Sequence, residues 1–69
     1  MKLLDSVALL RPPPSSGLRP GQVGTIVEEL DANTVEVEFA NLRGETMAML
    51  AVPKHDLLVL IHDRPQLAA

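Results

Sequence analysis

The chain has 69 residues, 46% of them apolar, with one aromatic (Phe39), no cysteine and a formal net charge of −3. That length makes one small domain, which buries only about 60% of its unfolded surface and needs extra support from disulfides, metals or association. Without cysteine, disulfides and thiolate metal sites are excluded. The acidic balance, with Lys2, Arg11, Arg19, Arg43, Lys54 and Arg64 scattered rather than clustered, argues against a nucleic-acid partner.

Two histidines, His55 and His62, are the only imidazoles, so no metal site and no cofactor is expected. Association is the support left, and the expectation is a homo-oligomer. Met1-Lys2-Leu3-Leu4 meets Asp5 before a secretory apolar core can develop. No apolar stretch approaches the roughly 20 residues of a membrane span. The expected setting is cytoplasmic, with no membrane contact.

In chain order, the apolar run Val7-Ala8-Leu9-Leu10 after Asp5-Ser6 is short and stopped at once by prolines. It predicts a first strand over Asp5–Leu10, in preference to a helix. Arg11–Gly21, RPPPSSGLRPG, is the one low-complexity stretch. Its three prolines favour polyproline II and Ser15-Ser16-Gly17 a flexible return, which reads as a long loop with Leu18 turned inward as its anchor.

Gln22–Ala40, QVGTIVEELDANTVEVEFA, is the hairpin around which the chain is organised. Its first strand, Gln22–Leu30, carries Gly24. A glycine within a strand implies a bulge, a bend or a close backbone approach, and in a small barrel Gly24 is expected to be the bend that lets the strand serve both sheets. The adjacent Ile26 and Val27 break strict alternation, as a bent strand would. Asp31-Ala32-Asn33 makes the turn, with Asn33 able to take positive φ. Val35-Glu36-Val37-Glu38-Phe39 then alternates without a fault, placing Val35, Val37 and Phe39 on one face and the two glutamates on the other.

Asn41-Leu42-Arg43-Gly44 closes the next hairpin, with Gly44 where left-handed geometry is needed. The fourth strand, Glu45–Val52, is apolar on both faces: Thr46, Ala48, Leu50 and Val52 on one, Met47, Met49 and Ala51 on the other. Such a strand is covered on both faces or lies at an interface. Pro53-Lys54-His55-Asp56 signals one helical turn, and Leu57–Ile61 a last, continuous apolar strand. Residues 1–62 thus form the domain, and 63–69 a polar tail.

Five strands, a long proline-rich first loop and a single helical turn before the last strand are the plan of an all-β, SH3-like small barrel. The succession Leu4–Leu10, Leu18–Val27 (with Gly-Gln-Val-Gly-Thr-Ile-Val as its most specific part), Val35–Phe39 and Leu57–Leu60 resembles the short bacterial proteins catalogued as domain of unknown function 4926. That resemblance implies the barrel fold and says little about function. The same segment is similar to the KOW motif of ribosomal and transcription factors and to small photosystem accessory barrels.

No catalytic constellation is evident. Ser15 and Ser16 have no accompanying histidine pattern, Glu28-Glu29 and Glu36/Glu38 read as solvated hairpin edges, and Gly21-Gln22-Val23-Gly24 is followed by a strand, not the helix a phosphate loop needs. Met47, Met49 and Ala51 are the candidate interface residues, methionine being an adaptable contact side chain; the alternative is that both methionines fill the monomer core. The leading expectation is a non-enzymatic, self-associating module that docks a protein partner. An antitoxin or immunity protein is a specialised form of it, and a KOW- or Sm-like nucleic-acid binder is the reading that the charge disfavours.

Overall fold

A computed structural model of the chain describes residues 1–61. Five strands form it: β1 (Ser6–Leu9), β2 (Val23–Glu29), β3 (Thr34–Ala40), β4 (Thr46–Pro53) and β5 (Leu57–Val59), with a 3-10 turn at Lys54–Asp56 before β5. All ladders are antiparallel, in the order β4-β3-β2-β1-β5. Val7 and Leu9, Ile26, the β3 trio Val35, Val37 and Phe39, then Val52 and Leu57 make one buried cluster. Every strand contributes, so a single sheet curls around a single core. The strand order, the long first loop and the turn before β5 match the SH3-like plan. The sheet ends on β4 and β5, and among the described residues no ladder joins these two edges.

β3 follows its sequence pattern residue by residue: Val35, Val37 and Phe39 are fully buried, while Glu36 and Glu38 lie on the outer face. β2 serves both halves of the sheet. Its start pairs with β1 (Ala8↔Val23, Val7↔Gly24) and its end with β3 (Glu28↔Glu36, Glu29↔Val35). The register shifts between Ile26 and Glu28, so Val27 is the extra residue of a bulge. This bulge accounts for the adjacent apolar pair, and it places the irregularity three residues beyond Gly24. Gly24 answers to another demand: a Cβ there would lie 2.6 Å from Val37 Cγ1 and 2.8 Å from Phe39 Cδ1.

The Asp31–Asn33 turn closes without a left-handed residue. Asn33 does not adopt positive φ. The Asp31 carboxylate instead accepts the Asn33 amide at 2.7 Å, and the Thr34 carbonyl accepts both the Leu30 and Asp31 amides. A side-chain turn of this kind removes the need for a left-handed residue. Gly44, by contrast, stands at φ +82°, as its turn requires.

The proline-rich loop is tied down at both ends. The Leu9 carbonyl accepts the Gly21 amide at 2.6 Å, the Gln22 carbonyl accepts the Leu9 amide at 2.8 Å, and Leu18 packs against the core from within the loop. The Leu10 amide donates to the Asp56 carbonyl at 2.7 Å, which carries the β1–β5 pairing into the 3-10 turn. His62 and the tail lie outside the described residues.

Candidate interaction surface

Strand alternation decides the two faces of β4. Val52 is fully buried, and Ala48 and Leu50 are half-buried against the core. Their alternates Met47, Met49 and Ala51 point outward and are exposed, with Met47 at 50% and Met49 at 51%. The three candidate residues therefore share one exterior strip, and neither methionine fills the core. Thr46 departs from the expected parity. The register shifts between Phe39 and Ala40, which leaves Met47 as an extra residue and pairs Ala40 with Thr46. Thr46 is consequently exposed, and its hydroxyl donates to the Glu38 carboxylate.

The strip lies beside an acidic row. Glu38 is the cross-strand partner of Met49, and Glu36 of Ala51. A second exterior apolar row crosses the other side of the sheet: Ala8 pairs with both Leu58 and Val23, which are 54% and 52% exposed. Sequence reading missed this row, because Leu58 sat inside a uniformly apolar run and Val23 in a strand whose parity the bulge disturbs. The signal available was Ala8, the small residue between them.

The polar side chains of the first loop and the 3-10 turn make contacts within the chain. Asp56 accepts the Arg11 Nε–H at 2.7 Å, linking the start of the loop to the 3-10 turn, and His55 Nε2 stands 3.6 Å from the same carboxylate oxygen. Ser16 Oγ accepts the Leu18 amide at 3.2 Å, and Ser15 sits at φ +62°. Among the described residues no group of three or more histidines and carboxylates is placed to hold a metal ion. None of their helices is long and apolar enough to cross a membrane.

A family model described as a domain of unknown function, DUF4926, matches residues 3–66. The chain belongs to this family. Among curated proteins and among solved structures, nothing matches it.

Proposed function

We propose that this chain is a non-enzymatic, cytoplasmic interaction module that associates with itself and docks a protein partner, using the exterior strip of β4. One observation carries the reading: Met47 and Met49 stand half-exposed beside Ala51 on the outside of a sheet-edge strand whose inward alternates Ala48, Leu50 and Val52 pack on the core. Methionine is enriched at contact surfaces because its unbranched, polarisable side chain adapts to irregular partners. The size of the chain points the same way. With eight buried hydrophobic side chains among the described residues, one of them aromatic, a domain this small gains by covering further apolar area between subunits.

Light scattering coupled to size exclusion tests the reading. The expected result is a mass that rises above the 7.5 kDa of one chain as concentration increases. A constant monomer mass at high concentration overturns the self-association. Substituting Met47 and Met49 together by Ser is expected to lower the association without lowering helix-free β content by circular dichroism, since both side chains lie outside the core.

A further inference from the structure

We infer that two copies of the chain pair antiparallel along β4, edge to edge, with Met49 on the two-fold axis. The inference rests on the self-association proposed above and specifies its geometry.

Backbone bonding fixes which side of β4 is free. The Lys54 amide donates to the Asn33 carbonyl at 2.8 Å, in the same register that pairs Val35 with Val52 and Val37 with Leu50. In an antiparallel ladder bonded pairs alternate with non-bonded ones. Val52 and Leu50 therefore direct their N–H and C=O groups to β3, and Met49 and Ala51 direct theirs away from the sheet. Among the described residues β4 is terminal in the strand order, and among them these groups form an open template for another strand. The residues that carry the open template are the ones whose side chains form the exterior apolar strip.

The template is bounded at both ends. Met47 is the bulge residue and Pro53 has no N–H, so the ladder of an added strand extends no further than these two positions. From Thr46 to Pro53 no residue is charged, whereas Glu45 precedes the run and Lys54 follows it. Antiparallel self-pairing about Met49 sets Met47 opposite Ala51 of the other copy and brings Glu45 of each chain to the end where the other carries Lys54. A parallel arrangement would put like charges together at each end. The charge pattern thus favours a second copy, turned through a two-fold axis.

The acidic row beside the strip does not oppose this. Glu38 is one strand in from Met49, so the two Glu38 residues of a pair stand three strand spacings apart, about 14 Å. That exceeds the screening length of about 8 Å at physiological salt. β5, the other sheet edge, is the weaker template: it has three residues, and its edge-facing Leu57 turns its side chain into the core.

A single cysteine tests the geometry, because the chain has none of its own. Directly opposed residues of a bonded antiparallel pair have Cα atoms about 5.5 Å apart, inside disulfide range. Met49→Cys is expected to form a disulfide-linked dimer on mild oxidation, and Leu58→Cys, on the other exterior row, is expected not to. Slowed amide exchange at Met49 and Ala51 on raising the concentration of the unmodified chain is the second expected result. Met49→Lys, which sets two ammonium groups face to face, is expected to remain folded and run as a monomer. A dimer by light scattering in which Met49→Cys fails to cross-link and these amides exchange freely overturns the edge pairing while self-association stands. A monomer at every concentration overturns both.

Discussion

Gly24 and Val37 sit on neighbouring strands so close that a Cβ on Gly24 would lie 2.6 Å from Val37 Cγ1. The same Cβ would meet the Phe39 ring at 2.8 Å and the Glu38 carbonyl oxygen at 2.9 Å. Two of these three neighbours are fully buried side chains, and the third is backbone in a ladder, so none can swing aside cheaply. Gly24→Ala is therefore expected to destabilise by about 1–3 kcal/mol, the usual cost of overpacking. The gain from a less flexible unfolded chain, about 0.4–1 kcal/mol, is smaller. A thermal melt should show a midpoint lower by roughly 5–20 °C for a domain of this size. An unchanged midpoint would mean that β2 moves away from β3 without penalty.

Phe39 carries more of the core than any other side chain, being the largest fully buried one and the only aromatic. Natural domains hold roughly 0.05–0.15 kcal/mol per residue, so 69 residues imply a total of about 3–10 kcal/mol. Truncating a buried Phe to Ala costs about 3–5 kcal/mol. Phe39→Ala should thus remove a large share of the monomer's stability, seen as faster exchange of the slow amides in β3. Phe39→Leu, which keeps most of the volume, should still fold. Equal behaviour of the two variants would contradict this account.

The pattern that made β3 readable is the same one that hid the irregular positions. Val35, Val37 and Phe39 alternate with Glu36 and Glu38, and only one placement of such a strand buries the apolar set. In β2 and β4 the apolar residues run together, and the bulges at Val27 and Met47 are set by how the strands must turn around the shared core. Composition carries no mark of that. On β4 the grouping of Met47, Met49 and Ala51 followed from parity, but which face lay outside did not, since both are apolar. Thr46 went to the wrong face for the same reason as Val27 remained ambiguous. Gly24 was visible as an anomaly, and only the proximity of Val37 and Phe39 says what it is for.

Glu28 and Glu36 are direct cross-strand partners on β2 and β3. Like charges facing each other in a sheet cost a few tenths to about 1 kcal/mol, by analogy with the gain from opposite pairs. Glu28→Lys should raise the denaturation midpoint by a few degrees at low salt. The benefit should fade toward 1 M salt, where the screening length falls to about 3 Å. A gain that persists at high salt would point to strand propensity or packing instead of charge.

Asn41 and Gly44 together shape the β3–β4 turn. The Asn41 side-chain oxygen accepts the amides of Arg43 at 2.8 Å and Glu45 at 3.0 Å, and its Nδ2 donates to the Glu45 carboxylate at 2.9 Å. Its backbone carbonyl accepts the Gly44 amide, which arrives with φ at +82°. A Cβ at Gly44 would meet nothing within 4 Å, so a side chain there is opposed by backbone conformation alone. Gly44→Ala should cost about 1–2 kcal/mol, the left-handed penalty for an L-residue, and Gly44→Asn clearly less, because Asn visits that region readily. Because this turn delivers the chain into β4, the two variants should also separate in association: any loss for Gly44→Ala should track its loss of stability, with Gly44→Asn close to the parent. Denaturant titrations of the three proteins give the ranking, and an Ala variant as stable as the Asn variant would remove backbone strain from the explanation.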